Sequence, residues 1–172
     1  MIKILAVSDS HGKKDILNEL ALRYTNQIDH FVHCGDSELS SSDLIWGIMT
    51  TVMGNCDYDY QMNDEYLFQA GDRTVLVVHG HRHSVRGSVA GLKQAAEQAD
   101  AALVFYGHTH IAKAELEDGI LFINPGSISQ PRGTLMEKTY CIVTLDDQTA
   151  TVAYYNDHHQ EMVDMKKQFQ IL

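Results

Sequence analysis

The chain has 172 residues, of which 44% are hydrophobic and 21% are charged, and its formal net charge is −10. This length is sufficient for one domain with its own core, residues 1–172, and is too short for two. The negative charge argues against a long nucleic acid as partner, because phosphate backbones are bound by clustered Lys and Arg. A small phosphorylated substrate stays open, since bound divalent metals reverse the local charge.

The sequence carries neither a signal-peptide pattern nor a hydrophobic run long enough to span a membrane. We therefore expect a cytoplasmic protein without a membrane partner. Its three cysteines, Cys34, Cys56 and Cys141, are widely spaced and form no C-x-x-C pair. This spacing argues against a disulfide framework and against a structural zinc site.

The first half of the chain alternates between strand and helix patterns. Short hydrophobic runs predict strands over residues 3–7, 30–33 and 47–53. Between the first two, residues 13–24 place hydrophobic side chains on one face at helical spacing, which predicts a helix. The polar run at residues 40–43 is typical of the start of another helix.

The second half begins with a hairpin over residues 66–69 and 74–78, followed by a helix over 85–98 and strands over 102–106 and 120–123. A hairpin of residues 140–145 and 149–155 follows, and the polar tail from residue 156 gives no prediction. This order predicts an α/β protein whose sheets are covered by helices, with extra antiparallel strands toward the C-terminus.

Metal-ligand side chains follow five of these predicted strands. Because ligands of α/β proteins collect at the carboxyl ends of strands, we expect these side chains to meet at one edge. In Gly107-His108-Thr109-His110 the two imidazoles should leave an extended backbone on the same side. The candidate ligands are Asp9, His11, Asp36, Asn55, His79, His108 and His110.

Carboxylate, amide and imidazole ligands without thiolates suit Mn²⁺, Fe²⁺, Co²⁺, Ni²⁺ or Zn²⁺. Seven ligands are too many for one tetrahedral ion, but they fit two ions if one carboxylate bridges. Two ions about 3.5–4 Å apart can hold an in-line displacement at phosphorus and generate hydroxide near neutral pH. The pattern therefore predicts a dinuclear site that attracts phosphate.

Each candidate also has a purely structural interpretation. Asp9 after a strand is typical of a helix N-cap, and Asp36, Asn55 and Asp57 after glycines are typical of turns. His79 at a strand end is equally typical of a hydrogen-bonded core histidine. What favours the metal site is the conjunction of five strand ends that all supply ligand-type side chains.

Five short blocks of the sequence resemble the calcineurin-like metallophosphoesterases. A sixth is similar to the small single-domain bacterial and archaeal phosphodiesterase branch of that superfamily. The resemblance implies a four-layer α-β-β-α sandwich of two mixed β-sheets flanked by helices, with two divalent metal ions. The five blocks are Asp9-x-His11, Gly35-Asp36, Gly54-Asn55, His79-Gly80-His81 and Gly107-His108-x-His110, and the sixth is Asn124-Pro125-Gly126-Ser127.

The motif match also implies how the ligands divide between the ions, with Asp36 as the bridge. Mn²⁺ is the ion that we expect first, with Ni²⁺, Fe²⁺, Co²⁺ and Zn²⁺ as alternatives. The first ion would take Asp9, His11, Asp36 and His110, and the second would take Asp36, Asn55, His79 and His108.

The sequence departs from the family pattern at Cys56, where many members have a histidine that helps the phosphate or the leaving group. A neutral thiol is a poor replacement as a proton donor. His81 follows His79 by two residues, which suggests a role near the leaving group or the phosphate. An equally open interpretation is that His81 only supports a ligand.

We therefore expect a metal-dependent phosphoesterase, most simply a phosphodiesterase acting on a small phosphorylated substrate. The resemblance implies that a hydroxide bridging the two metals attacks phosphorus, and that Asn55 both ligates and fixes the phosphate. Two alternatives stay open, a phosphomonoesterase and a non-catalytic metal-binding interaction scaffold of the same fold, which a retromer subunit resembles. The sequence also leaves open the natural substrate and whether the chain forms homo-oligomers.

Overall fold

Two mixed β-sheets dominate the computed structural model, which describes residues 1–171. One sheet has six strands in the order β11-β10-β9-β1-β2-β3, and the other has five in the order β4-β5-β6-β8-β7. In chain order the strands are β1 (Ile2–Val7), β2 (His30–His33), β3 (Thr50–Thr51), β4 (Glu65–Ala70), β5 (Arg73–Val78), β6 (Leu103–Phe105), β7 (Lys113–Glu117), β8 (Ile120–Asn124), β9 (Thr139–Leu145), β10 (Thr149–Asn156) and β11 (Lys167–Gln170).

The six-stranded sheet, here the first sheet, is built around β1. Its hydrophobic run pairs in parallel with β2 and antiparallel with β9. Helix α1 (Lys14–Arg23) provides the crossover between β1 and β2, as parallel strands require. Because both faces of β1 are covered, its run reads as continuous rather than alternating hydrophobic residues.

The five-stranded sheet, here the second sheet, repeats this arrangement. Strand β5 pairs in parallel with β6 through helix α2 (Ala90–Gln98), and β6 pairs in parallel with β8. In both sheets the central parallel strands therefore end at the same edge of the molecule. The loops that follow these ends carry the candidate ligands.

The core divides into three hydrophobic clusters that define the layers. The largest lies between the two sheets and includes Ile4, Val75 and Phe105. A second cluster joins Leu92 and Ala96 of α2 to the outer face of the second sheet, and a third joins Leu17 and Leu20 of α1 to the outer face of the first. The predicted four-layer α-β-β-α sandwich is confirmed.

Two predicted elements are much shorter than expected. The strand predicted over residues 47–53 is reduced to Thr50–Thr51, because Asp43 caps a 3₁₀ helix over Leu44–Gly47 by accepting a hydrogen bond from the Ile45 N–H (3.0 Å). Helix α2 begins at Ala90 rather than near residue 85, since the Ser88 hydroxyl accepts a hydrogen bond from the Ala90 N–H (3.3 Å) and competes with earlier helical turns.

Two strands escaped prediction, and both lie at sheet edges. Strand β7 is largely charged, and β11 lies in the polar tail and pairs antiparallel with β10. Charged and polar residues are common on edge strands, where one side faces solvent. Among the helices of residues 1–171, none is long and apolar enough to cross a membrane.

Candidate metal centre

The loops after β1, β2, β5 and β6 are connected to one another by backbone hydrogen bonds. The Asp9 N–H donates to the Gly35 carbonyl (3.0 Å), and the His11 N–H donates to the Asp36 carbonyl (3.0 Å). In the second sheet the Gly107 N–H donates to the His79 carbonyl (2.9 Å). Each sheet therefore presents its ligand-bearing loops as one connected unit.

Two buried carboxylates and three imidazoles converge at this edge. Asp9 Oδ1 lies 3.1 Å from His79 Nε2 and 3.2 Å from His110 Nε2. His79 Nε2 also lies 3.3 Å from Asp36 Oδ2, and His11 Nε2 lies 3.3 Å from His110 Nε2. Five of the seven predicted ligands are thus brought together by side-chain contacts.

The outer nitrogens of these three imidazoles are all hydrogen-bonded away from the cluster. His11 Nδ1 lies 2.9 Å from Glu38 Oε2, and His110 Nδ1 lies 2.7 Å from the Gln130 carbonyl oxygen. His79 Nδ1 lies 3.1 Å from His81 Nδ1. A metal ion can displace the protons that the inward Nε2 atoms share with the carboxylates. A proton held on the outer nitrogen then gives the tautomer of a metal-ligating histidine.

The donor atoms fit metal ions in spacing and in chemistry. Three groups have ligand atoms that all lie within 4.8 Å of one another. Such spacing suits bonds of about 2.0–2.2 Å from nitrogen and oxygen to one central ion. Asp9, His11 and Asp36 each occur in two groups, so neighbouring ions would share ligands. The groups are Asp9, His11 and His110; Asp9, Asp36 and His79; and His11, Asp36 and Cys56.

The electrostatics of the cluster reflect these contacts. Burial raises the pKa of Asp9, but the hydrogen bonds from His110 and His79 lower it by more. The pKa of Asp9 therefore lies well below the usual range. Burial lowers the pKa of His79, but its bonds to Asp36 and Asp9 raise it to about 9. The two carboxylates therefore attract positive charge to this position.

His108 lies beside His79. The ring centroids of His108 and His79 are 5.1 Å apart, and the backbone N–H of His108 donates to Asp9 Oδ2 (3.2 Å). Burial, the His79 charge and the Arg86 charge together lower the pKa of His108 to about 4. His108 is therefore a neutral imidazole near neutral pH, with the cation of Arg86 nearby.

The backbone at the site is strained rather than extended. Because His108 and His110 have φ of 71° and 61°, the expectation that their rings leave an extended strand on one side is wrong. Strand β6 ends at Phe105, and the loop directs His110 toward Asp9 and His108 toward His79. Asp9, His11 and Asp36 also have positive φ, which is typical of functional sites.

Two glycines permit this packing. A Cβ atom on Gly54 would lie 2.0 Å from Asp36 Oδ1, and one on Gly107 would lie 2.2 Å from Ser8 Oγ. Neither neighbour can move without disturbing a candidate ligand loop. Close backbone approach therefore requires glycine at both positions.

Asn55 and His81 lie at the margin of the cluster. Asn55 is exposed, and its Nδ2 lies 3.7 Å from Cys56 Sγ, while its neighbour Gly54 packs on Asp36. His81 is half-buried beside His79, with its ring centroid 6.3 Å from that of His108. The contact of His81 with the outer nitrogen of His79 agrees with the interpretation of His81 as a support for a ligand.

Sequence reasoning missed three residues that hold the loops in place. Glu38 orients His11 through its carboxylate, as described above. The buried carboxylate of Asp57 accepts hydrogen bonds from the N–H groups of Asp36 (2.9 Å), Glu38 (2.8 Å) and Gly54 (2.7 Å). The turn interpretation of Asp57 agrees with this geometry, whereas no spacing in the sequence pointed to Glu38.

The third missed residue is His33, the last residue of β2. It packs edge-on against Trp46, but its Nδ1 also accepts a hydrogen bond from the Gly35 N–H (3.1 Å). The ring proton must then be on Nε2, which donates to Ser10 Oγ (2.8 Å). His33 thus connects the loop of Asp9 and His11 to the loop of Asp36, and burial lowers its pKa to about 4.

The Asn124–Ser127 block supports the site from behind. Asn124 Nδ2 donates to the Gly107 carbonyl (3.1 Å), and Ser127 Oγ donates to the Asp9 carbonyl (2.8 Å). These two bonds connect the loop after β8 to both sheets. The block therefore positions candidate ligands from each sheet without contributing one itself.

Cys56 occupies the wall of the site. Its N–H donates to Asp36 Oδ1 (2.8 Å), and its Sγ belongs to the group with His11 and Asp36. Burial and the nearby Asp36 raise the pKa of the Cys56 thiol to about 11. The residue is therefore a neutral thiol that lies directly beside the candidate ligands.

Comparisons with known proteins agree with this geometry. Residues 2–148 match the family model of the calcineurin-like phosphoesterase superfamily domain. The chain is 39% identical over 165 residues to the probable metallophosphoesterase YsnB of Bacillus subtilis, covering 96% of this chain and 97% of that protein.

Solved structures give the same picture. A crystal structure from Streptococcus pneumoniae TIGR4, described as a predicted phosphoesterase, has a TM-score of 0.95 at 36% identity and covers 98% of this chain and 97% of that one. Vacuolar Protein Sorting 29 from Cryptosporidium parvum, at 17% identity and 98% coverage of both chains, has a TM-score of 0.78 and shares the fold. The chain thus belongs to the calcineurin-like phosphoesterase superfamily, as its blocks of Asp, Asn and His indicate.

Proposed function

We propose that the chain is a metal-dependent phosphoesterase that prefers small phosphodiesters, with residues 1–172 acting as one catalytic domain. The observation that carries this proposal is the orientation of His11, His79 and His110. Their Nε2 atoms face two buried carboxylates while their Nδ1 atoms are hydrogen-bonded outward. Membership of the superfamily supports the same conclusion.

Two divalent ions are the cofactors of this proposal, with Mn²⁺ first and Ni²⁺, Fe²⁺, Co²⁺ and Zn²⁺ as alternatives. Bound at the cluster, such a pair would supply positive charge for the phosphoryl oxygens and lower the pKa of bound water. The residues that would hold it are Asp9, His11, Asp36, Asn55, His79, His108 and His110.

The chain's own side chains then have distinct tasks around the phosphate. The exposed Asn55 amide can donate to a phosphoryl oxygen as well as ligate, and Arg86 can attract the phosphate charge toward His108. His81 either holds the His79 tautomer through its Nδ1 contact or gives a proton to the leaving oxygen. His81→Ala separates these roles: weaker metal binding indicates the first, and selective loss with poor leaving groups indicates the second.

Open space beside the cluster supports a diester over a monoester. A cavity of about 640 Å³ includes Glu38 and Cys56, which contact His11 and Asp36 respectively. A second cavity of about 390 Å³ includes His79 and His81. A phosphate bound at the cluster with access to both cavities would have room for two substituents, whereas a monoester needs only one.

The proposal also concerns partner and location. A net charge of −10 favours a small phosphate ester over a long nucleic acid. All three cysteines are free thiols, which supports a cytoplasmic location. Homo-oligomer formation is left to a solution measurement of molecular mass.

The test is hydrolysis of bis(p-nitrophenyl) phosphate beside p-nitrophenyl phosphate by metal-stripped protein titrated with Mn²⁺. We expect diester hydrolysis that rises with metal and is lost in His108→Ala. Faster hydrolysis of the monoester than of the diester would indicate a phosphomonoesterase instead. Tight metal binding with no turnover of either ester would overturn the proposal that the chain is an enzyme, and would favour an interaction scaffold of this fold.

A further inference from the structure

An open groove begins at the candidate metal centre and runs along the first sheet's loops. It has a volume of about 640 Å³ and is lined by residues that include Glu38, Ser40, Cys56, Tyr58 and Tyr60. Two of these contact candidate ligands directly: Glu38 Oε2 lies 2.9 Å from His11 Nδ1, and the Cys56 N–H donates to Asp36 Oδ1 (2.8 Å). A substituent on a phosphate bound at the cluster would extend into this groove.

The groove presents aromatic rings to solvent. Tyr58 and Tyr60 are 81% and 84% exposed, unlike the largely buried Tyr140 and Tyr154. Exposed aromatic rings beside a binding site are suited to stacking on a planar group. The loop that carries these two tyrosines is held in place by Asp59. Its carboxylate accepts hydrogen bonds from the N–H groups of Ser41 (2.7 Å) and Gln61 (3.1 Å).

The charge of the groove restricts its occupant. Glu38 and Asp59 are acidic, and within the described residues no Lys or Arg lines it. A second phosphate group would therefore be repelled. Hydroxyl groups would be favoured, because carboxylates accept hydrogen bonds and Glu38 uses only Oε2 on His11. The groove thus suits an uncharged planar group joined to the phosphate through a hydroxyl-bearing unit.

The geometry points to a nucleoside as the occupant of this groove: its phosphate ester lies at the metal centre, its sugar hydroxyls face Glu38, and its base stacks on Tyr58 or Tyr60. This inference rests on the proposed phosphodiesterase function and names the substrate class of the same site. A single nucleoside ester fits the acidic groove, whereas a polynucleotide would bring further phosphates into it.

The test compares two diesters that release the same chromophore, thymidine 5′-(p-nitrophenyl phosphate) and methyl p-nitrophenyl phosphate. In each, water adds to phosphorus and the bond to the aryl oxygen breaks, so that the products are p-nitrophenol and a nucleoside or methyl phosphate. We expect kcat/KM to be at least about tenfold higher for the nucleoside ester, since stacking on one aromatic ring provides gains of this order.

Tyr58→Ala and Tyr60→Ala should remove this preference by raising KM for the nucleoside ester only, and Tyr58→Phe, which keeps the ring, should retain it. Independently of turnover, the ring resonances of Tyr58 and Tyr60 should shift in NMR spectra on addition of thymidine 5′-monophosphate. Equal kcat/KM for both esters, or an undiminished preference in the double alanine variant, would overturn the nucleoside assignment alone. Loss of all diester hydrolysis in the wild type would instead overturn the proposed function.

Discussion

The two sheets contribute opposite chemistry to the candidate metal centre. Loops of the first sheet supply every carboxylate at the cluster, with Asp9 and Asp36 inside and Glu38 and Asp57 behind them. Loops of the second sheet supply the imidazoles of His79, His108 and His110, together with the charge of Arg86 near His108. The first sheet contributes one candidate imidazole ligand, His11. One half of the site is acidic, and the other is neutral or cationic.

This difference indicates a division of work across the site. The acidic half attracts cations, since buried carboxylates are stable only when they are paired with positive charge. The imidazole half keeps imidazoles and the Arg86 cation available to an anionic substrate. Changes in the first sheet's loops should therefore affect metal binding, and changes around Arg86 should affect substrate binding.

The largest effect should come from Asp36→Ala in the acidic half. Losing this buried carboxylate removes a ligand from two of the three donor groups, and we expect loss of two-metal binding and at least a roughly thousandfold lower kcat/KM. Metal content by mass spectrometry and turnover of bis(p-nitrophenyl) phosphate measure the two effects. Asp72→Ala, in the exposed turn between β4 and β5, is the matched control and should change neither. Full activity in Asp36→Ala would contradict the assignment.

Glu38→Gln should have the next largest effect. It keeps the size of the side chain but removes the negative charge that orients His11. Outer hydrogen-bond partners of ligating histidines affect metal affinity by about 10- to 100-fold, and we expect a weakening in this range by isothermal titration with Mn²⁺. Glu19→Gln, which alters a carboxylate bound to His159 outside the site, serves as control. An unchanged affinity of Glu38→Gln for Mn²⁺ would show that Glu38 has no role in metal binding.

In the imidazole half, Arg86→Ala should raise KM about tenfold, the size expected for one lost charge-assisted hydrogen bond. Metal content should stay at the wild-type level, because Arg86 provides no ligand. Arg23→Ala, on α1, is a control that also removes one positive charge from the chain. If Arg86→Ala lost metal instead, the proposed division between the two halves would be wrong.

Titration of His33 should have the smallest effect on activity, because it changes the stability of the fold rather than the candidate ligands. Burial lowers the pKa of His33 in the folded protein to about 4, from its ordinary value of 6.5. Between pH 6.5 and 4, His33 is protonated in the unfolded chain but not in the folded chain. The stability that His33 contributes is therefore fully present above pH 6.5 and is lost as the pH falls toward 4. The loss should be on the order of 3 kcal/mol.

Urea unfolding of the metal-free protein at several pH values measures this loss. His33→Gln, which has no titrating group at the position, should show a shallower decline over the same pH window. Parallel curves for the two proteins would mean that His33 does not remain neutral in the folded state.

Much of the fold could be predicted because its central elements have strong local patterns. The bounds predicted for β2 match the structure. Strand β1 begins one residue earlier than predicted, and α1 is one residue shorter at each end, since hydrophobic runs and helical spacing define these elements locally. Strand β11 could not be predicted, because its polar residues become a strand only by pairing with β10. Its structure depends on a tertiary partner rather than on its own sequence.

The candidate site shows the same limit. Ligand-type residues after strand ends were visible in the sequence, and five of them meet in the structure. The residues that orient them were not, because the bonds of His33 to Ser10 and of Glu38 to His11 join positions far apart in the chain. The same holds for the left-handed backbone at His108, which no local pattern indicated.

The most direct test of the central claim is anomalous diffraction from crystals of the protein soaked in Mn²⁺. We expect two peaks, with Asp36 next to both, and both enclosed by the side chains of Asp9, His11, Asp36, His79 and His110. A single peak, or peaks away from these five residues, would contradict a dinuclear centre built at the meeting edge of the two sheets.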